Sequence, residues 1–150
     1  MNGIAHIAIT VSDFESCNAF YRRLFKFLEM KLVYDTDDVI YGVGSRTGIV
    51  IRSATEEFKD DVFRQNRIGL HHYCFRARSR EDIDSLYEFL VEIDAKIVHA
   101  PEEGRWAPGY YSVLFEDPDG IRIEANFVPG QGNLDPQVQL PLKTSMQESS

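Results

Sequence analysis

Two histidines and one glutamate occupy related places in segments that are typical of β-strands. Residues 3–11 align with residues 69–77, and the alignment places His6 on His72. Successive side chains of a strand point to opposite faces, so each histidine lies on the face away from its apolar neighbours. The same alternation places the Glu124 side chain on the strand face opposite to that of its apolar neighbours. Imidazole and carboxylate groups are common ligands of divalent metals, and these three side chains therefore predict a site for one ion.

The two aligned strands begin two copies of a βαβββ unit. In each copy an amphipathic helical pattern follows the strand, and three short strands come next. The first helix is predicted to begin at Ser12, with Glu15 completing a capping box, and the second near Ser79. They end near residues 28 and 95. The later strands are predicted at residues 31–35, 39–43, 47–51, 96–100, 110–115 and 121–127. The predicted fold class is therefore α+β, with two βαβββ modules.

The repeat also defines the expected domain boundaries. Residues 1–128 are predicted to form one domain, in which module one is 1–53, a connector is 54–68 and module two is 69–128. Asp117-Pro118-Asp119-Gly120 is predicted to be a tight turn between the last two strands. From Pro129 to Ser150 the pattern dissolves into Pro, Gly, Gln and Ser, which predicts a flexible tail.

Composition and charge exclude several classes of partner. A formal net charge of −8 would repel a phosphate backbone, so nucleic acid is not expected as a partner. No apolar stretch approaches the roughly 18 residues that span a bilayer, and no secretory signal pattern is present. A cytoplasmic location and no membrane partner are the expectation. Cys17 and Cys74 lack the spacing of a disulfide framework and are interpreted as reduced, partly buried residues.

Further side chains are candidates for substrate contact. Cys74 follows His72 by two residues on the same strand face, where it either touches a substrate or only lines the cavity. A Gly- and Pro-rich loop carries Trp106, and Tyr110 and Tyr111 come next; these aromatic residues form either a pocket wall or ordinary packing. His71 is expected to point to the opposite face from its neighbour, and His99 to lie on an outer strand, so neither receives a role.

These residues resemble the vicinal-oxygen-chelate superfamily over about residues 1–128. The resemblance rests on His6-Ile7-Ala8, Phe20-Tyr21, His72-Tyr73-Cys74-Phe75, Asp117-Pro118-Asp119-Gly120 and Ile123-Glu124. It implies a cleft in which His6, His72 and Glu124 hold one divalent ion: Fe²⁺, Mn²⁺, Ni²⁺ or Zn²⁺. The ion would chelate two adjacent oxygens of a small substrate. The resemblance also implies a homodimer, which covers the open edges of the sheets.

The fourth ligand position of that superfamily is occupied by Arg52. Glyoxalase I has a carboxylate there that acts as ligand and base, and a guanidinium can do neither. The remaining His, His and Glu set resembles the extradiol dioxygenases, which is the favoured activity. Two alternatives stay open: a glyoxalase-like lyase or isomerase with an altered fourth ligand, and a metal-free protein that sequesters an antibiotic, as bleomycin-resistance members do. Arg52 either pairs with Glu124 or binds an anionic group of the substrate. No general base is identified.

Overall fold

The first predicted module forms a four-stranded sheet with one helix. The computed structural model describes residues 3–136. Its first elements are β1 (His6–Val11), α1 (Phe14–Phe27), β2 (Lys31–Asp35), β3 (Val39–Gly44) and β4 (Thr47–Ser53). The strand order is β1-β4-β3-β2, in which β1 runs parallel to β4 and the other neighbours are antiparallel. The parallel pair is possible because the chain crosses over through the helix between them.

The second module repeats this topology. Its elements are β5 (Tyr73–Arg76), α2 (Arg80–Glu92), β6 (Lys96–Glu103), β7 (Tyr111–Glu116) and β8 (Arg122–Phe127). The strand order is β5-β8-β7-β6, and β5 is parallel to β8. Two βαβββ modules of the α+β class are thus confirmed. No helix among the described residues is both long and apolar enough to cross a bilayer.

The chain divides into two compact units. Unit 1 contains the residues up to Arg67 together with Asp117–Ile121, and unit 2 contains Ile68–Glu116 together with the residues from Arg122 onwards. The turn between β7 and β8 therefore belongs to unit 1, although both strands belong to unit 2. A short 3₁₀ helix, Gly132–Leu134, follows β8, and residues 137–150 of the predicted tail lie outside the described residues.

Alternation along the strands produces one buried and one open face. In β1, Ile9 and Val11 are only 5% and 1% exposed, whereas His6 and Ala8 are exposed. Helix α1 buries a stripe of residues spaced three or four apart: Cys17, Phe20, Tyr21, Leu24 and Phe25. Removing an apolar side chain of this kind from water stabilises the fold by about 1.5–3 kcal/mol. The hydrophobic pattern thus leaves His6 away from the core.

The first helix does not begin as the sequence predicted. Its N-cap is Asp13, whose carboxylate accepts a hydrogen bond from the Ser16 backbone N–H at 3.0 Å. Ser12 instead donates to Asp119 through its backbone N–H and through its hydroxyl, at 2.9 Å for the hydroxyl. This long-range contact explains why Ser12 is not free to cap the helix. The predicted start of the second helix near Ser79 is confirmed, since Ser79 is the N-cap of α2 and forms a capping box with Asp82.

The turn at residues 117–121 is built around a buried carboxyl group. Asp117 is only 3% exposed and accepts hydrogen bonds from the Tyr21 hydroxyl and the Ile121 backbone N–H, each at 2.8 Å. Burial raises the pKa of Asp117 to about 6, although both hydrogen bonds act in the opposite direction. Gly120 adopts a φ of +82°, which a glycine accommodates without strain. The predicted tight turn is therefore present.

Several strand boundaries differ from the prediction, and the start of β5 differs most. β5 begins at Tyr73 rather than residue 69, and its pairing with β8 starts with Tyr73 opposite Ile123. β7 begins one residue late, at Tyr111, and β6 continues to Glu103. The side chains of the residues just before β5 therefore need not alternate between two faces as they do within a strand.

Candidate metal centre

Glu124 lies on a central strand of the second sheet. It lies in β8, opposite Cys74 of β5 and Leu114 of β7. Its neighbours Ile123 and Ala125 are buried on the other face, whereas the Glu124 side chain keeps 13% of its surface exposed. A carboxylate in such a position requires a positive partner or a set of hydrogen-bond donors.

His72 is one such partner. Its Nε2 atom lies 3.1 Å from Oε2 of Glu124, and its side chain is 36% exposed. Two ligands at right angles around a metal, each about 2.1 Å from it, are themselves about 3 Å apart. The separation of these two atoms therefore fits adjacent positions on one ion, and it also fits a direct ion pair.

Tyr110 binds the other oxygen of the carboxylate. Its hydroxyl donates a hydrogen bond to Oε1 of Glu124. Burial, followed by the hydrogen bond to Glu124, raises the pKa of Tyr110 above its ordinary value, so the phenol is neutral and remains a donor. One carboxylate oxygen is thus occupied by Tyr110, and the other faces His72.

The loop before β7 determines where the Tyr110 ring lies. Gly104 donates its backbone N–H to the Tyr110 carbonyl at 2.9 Å, and the Tyr110 N–H donates to the Ala107 carbonyl at 3.1 Å. A Cβ atom at Gly104 would lie 2.7 Å from Cδ1 of Tyr110 and 3.4 Å from the Trp106 ring. Gly104 is therefore needed for close approach of this ring. Sequence reasoning missed it, although a glycine beside predicted pocket aromatics is a usable signal.

His71 lies against His72, contrary to the prediction that it points to the opposite face. The two Nδ1 atoms are 2.6 Å apart, and the rings meet edge to face with centroids 4.9 Å apart. The reason is that both residues precede β5, where strand alternation does not apply. His99 lies on the edge strand β6, as predicted.

His6 and Arg52 belong to unit 1. His6 begins β1, is paired in register with Gly48, and contacts the Tyr41 ring edge to face at a centroid distance of 6.4 Å. A Cβ at position 48 would lie 2.2 Å from Tyr41 Cε2, so this glycine gives room to the aromatic ring beside His6. Arg52 is exposed on β4 between Thr10 and Val39, and no ion pair to it is found among the described residues of its unit.

Cys74 lies opposite Glu124 in the sheet, and the pKa of its thiol is raised. Both cysteines are free, as predicted, yet Cys74 is exposed rather than partly buried, and Cys17 is fully buried. Partial desolvation of the thiol, followed by the negative charge of Glu124, raises the pKa of Cys74 to about 12. Its Sγ donates to the Phe75 carbonyl at 3.4 Å. At neutral pH the group is therefore a thiol rather than a thiolate.

The two remaining aromatic candidates lie elsewhere. The Tyr111 hydroxyl donates to Asp84 of α2 at 2.7 Å, and the guanidinium of Arg80 stacks 4.0 Å from its ring centroid. Trp106 is 51% exposed and has Arg105 near its ring, at 5.6 Å. Tyr111 is thus held against α2 and does not join Tyr110 at the carboxylate.

Unit 2 therefore brings together His71, His72, Glu124 and Tyr110. Within residues 3–136, no group of three or more His, Cys, Asp and Glu side chains is arranged to hold a metal ion. The donor chemistry of His72 and Glu124 nevertheless suits a divalent transition metal, because it combines a neutral nitrogen with an anionic oxygen at a separation typical of adjacent ligands.

Comparison with known proteins defines the class. Residues 3–125 match the Glyoxalase/Bleomycin resistance protein/Dioxygenase superfamily, and the chain belongs to this superfamily. The protein is 31% identical over 122 residues to the uncharacterized protein YqjT of Bacillus subtilis (strain 168), an alignment that covers 79% of this chain and 94% of YqjT. The family resemblance found in the sequence is thereby confirmed.

Solved structures agree with this assignment. A glyoxalase candidate from Bacillus halodurans is similar with a TM-score of 0.76 and 27% identity, covering 85% of this chain and 97% of that one. Lactoylglutathione lyase from Agrobacterium tumefaciens is similar with a TM-score of 0.62, 21% identity and coverage of 85% and 94%. At that identity the second likeness concerns the fold alone. The superfamily contains enzymes of different reactions, so membership leaves the reaction to be argued from the site.

Proposed function

We propose that this protein is a metal-dependent enzyme that acts on a small molecule carrying two adjacent oxygens. One divalent ion, Fe²⁺, Mn²⁺, Ni²⁺ or Zn²⁺, would be held by His72 and Glu124 of unit 2 and by His6 of unit 1. The observation that carries the proposal is the 3.1 Å separation between His72 Nε2 and Glu124 Oε2. The assignment of His6 rests on its alignment with His72 in the sequence repeat.

The residues around the carboxylate have defined tasks in this proposal. Tyr110 donates to one oxygen of Glu124 and leaves the other for the ion. Because its pKa is raised, Tyr110 does not compete with the carboxylate as an anionic ligand. The bound ion would supply Lewis acidity to the two substrate oxygens.

Arg52 is proposed to recognise an anionic group of the substrate. It is exposed and has no ion-pair partner among the described residues of its unit, so its five donors are available to a carboxylate or phosphate. A guanidinium cannot act as the proton-transfer base that a carboxylate would be, which argues against ordinary glyoxalase I chemistry. A His, His and Glu ligand set favours ring-cleaving dioxygenase chemistry instead.

A metal-free binding protein is the second candidate. The same 3.1 Å separation suits a direct ion pair between a protonated His72 and Glu124, which would hold the carboxylate without an ion. Such a protein would bind its small molecule stoichiometrically and would not turn it over.

Metal content distinguishes the two candidates. Untagged protein prepared without chelators, and reconstituted with each of the four metals, is analysed by elemental mass spectrometry. Matched variants are His72→Ala and His6→Ala, with His99→Ala on the edge strand as control. We expect about one equivalent of metal in the parent and the control, and strongly reduced content in the other two.

The identity of the metal then directs the search for the reaction. Iron or manganese supports assays with catechols and dioxygen, whereas nickel or zinc favours the lyase or isomerase alternative. Absence of metal from the reconstituted parent protein contradicts the proposal and leaves the binding protein. Retention of metal by His6→Ala would remove His6 from the ligand set.

We also propose a homodimer. Edge strands β2 and β6 carry exposed apolar side chains, Val33, Tyr34 and Val98, with 51%, 56% and 37% of their surfaces exposed. Exposed sheet edges of this kind are commonly covered by association. Sedimentation equilibrium measures the mass directly, and a mass of 17.2 kDa across the concentration range would contradict the dimer.

A further inference from the structure

The position of the His71 side chain in unit 2 differs from the position that strand alternation predicted. The side chain was predicted to point away from His72, yet the Nδ1 atoms of the two rings lie 2.6 Å apart. Two ring nitrogens at this distance form a hydrogen bond only if one of them carries a proton and the other does not. The contact therefore means that the protonation of Nδ1 in one ring determines whether Nδ1 of the other ring must be bare.

The other nitrogen of His72 decides which ring must donate. When Nε2 of His72 donates its proton to Glu124, 3.1 Å away, Nδ1 of His72 is bare and accepts from Nδ1–H of His71. When Nε2 binds a metal, that nitrogen must be bare and the proton resides on Nδ1 of His72. His71 must then be the acceptor, with its own proton on Nε2.

We propose that His71 is a positioning residue for the metal site, accepting the Nδ1 proton of His72 so that Nε2 is the nitrogen presented to the ion. The inference rests on the proposed function, because it requires His72 to be a ligand. It assigns a role to a histidine that sequence alternation had set aside. His71 is exposed, so its substitution leaves the core of unit 2 intact.

The geometry also identifies the substitutions that test this role. Asparagine places an amide oxygen near the position of Nδ1 and preserves an acceptor, whereas phenylalanine preserves a ring and removes it. His71→Asn is therefore the conservative variant, His71→Phe the disruptive one, and His99→Phe the matched control on the edge strand. Thermal unfolding of each variant reports whether the fold is kept.

The first measurement is Zn²⁺ affinity, obtained by competition with a chromophoric chelator. Loss of a hydrogen-bond partner of a ligating histidine weakens metal binding about 10–100-fold. We expect this loss in His71→Phe, affinity within about threefold of the parent in His71→Asn, and parent affinity in His99→Phe. Equal affinity of His71→Phe and the parent overturns the inference, and so does an equal loss in both substitutions at His71, because the acceptor would then not be what matters.

A second measurement observes the tautomer itself. In ¹⁵N-labelled protein loaded with Zn²⁺, two-dimensional ring spectra distinguish a protonated, a bare and a metal-bound nitrogen. We expect His72 to have metal on Nε2 and a proton on Nδ1 in the parent. Metal on Nδ1 of His72 contradicts the role of His71 while leaving His72 a ligand. A parent protein whose His72 ring does not respond to metal contradicts the proposed function instead, so the two failures are distinguishable.

Discussion

Nε2 of His72 lies 3.1 Å from Oε2 of Glu124, while Oε1 of the same carboxylate accepts a hydrogen bond from Tyr110. Each oxygen of Glu124 thus has a different neighbour. Substitutions of His72, Tyr110 or Glu124 should therefore alter different contacts of the same carboxylate.

Glu124→Gln is expected to separate metal binding from folding. A neutral amide is a poor ligand, so metal affinity should fall by at least about 100-fold. The partly exposed pair with His72 contributes only about 0–1 kcal/mol, so the unfolding free energy of the metal-free protein should change by no more than about 1 kcal/mol. Metal titration and urea unfolding measure the two quantities. Glu88→Gln on the exposed face of α2 is the control and should alter neither, and unchanged affinity in Glu124→Gln would remove this residue from the ligand set.

Tyr110→Phe tests the donor to the carboxylate. The loss of its hydroxyl leaves Oε1 of Glu124 without that hydrogen bond, and metal affinity should fall about 10–100-fold. Tyr111→Phe is the matched control, because its hydroxyl binds Asp84 of α2. Metal titration should show a loss only for the first variant. Equal losses in both would indicate a general effect of the loop.

Gly104→Ala tests the placement of the Tyr110 ring. The new Cβ would lie 2.7 Å from Cδ1 of Tyr110, which forces the ring to move. Metal affinity should fall, and combining this change with Tyr110→Phe should add little, since both act on one hydrogen bond. Gly3→Ala is the control, because nothing lies within 4 Å of a Cβ there. Full additivity in the double variant would show that Gly104 acts independently of the hydroxyl.

Cys74 is expected to react slowly despite its exposure. With its pKa raised to about 12, the thiolate fraction at pH 8 is roughly 1,000-fold below that of an ordinary cysteine. The rate of alkylation by iodoacetamide, assigned to Cys74 by mass spectrometry, should be correspondingly slow and should rise steadily with pH up to 10. Glu124→Gln should accelerate it by removing a negative charge. Reaction as fast as that of free cysteine would contradict this account of the thiol.

Asp117→Asn is expected to change how stability depends on pH. Because burial raises the pKa of Asp117 to about 6 from 3.8, the folded protein holds this proton more tightly than the unfolded chain does. The contribution of Asp117 to stability therefore decreases as pH rises from about 4 to 6, by about 3 kcal/mol, and is constant above that range. The amide oxygen of asparagine can accept from the Ile121 N–H, and its NH₂ group can donate to the Tyr21 hydroxyl oxygen, so both contacts are possible without a charge.

Urea unfolding between pH 4 and 7.5 measures this difference. The stability of Asp117→Asn relative to the parent should rise across the range, whereas the exposed variant Asp60→Asn should follow the parent. A difference between parent and Asp117→Asn that is constant with pH would show that folding does not raise the pKa of Asp117.

Much of the architecture was determined by the sequence itself. The internal repeat predicted two βαβββ modules, and the alternation of Ile9 and Val11 with His6 predicted which face of β1 is buried. These features are local, because side-chain direction follows the strand period and apolar spacing follows the helix period. Family membership also followed from short motifs that the modules carry.

Other features depended on contacts between residues far apart in sequence. Ser12 donates to Asp119 and does not cap α1, and His71, which precedes β5, contacts His72. Tyr110 and Tyr111 are adjacent, yet one binds Glu124 and the other binds Asp84. Local sequence rules cannot predict these contacts, since each depends on which distant donor or acceptor the folded chain brings within hydrogen-bond distance. The sequence thus determined the modules and the candidate ligands, and the tertiary structure decided the partners that position them.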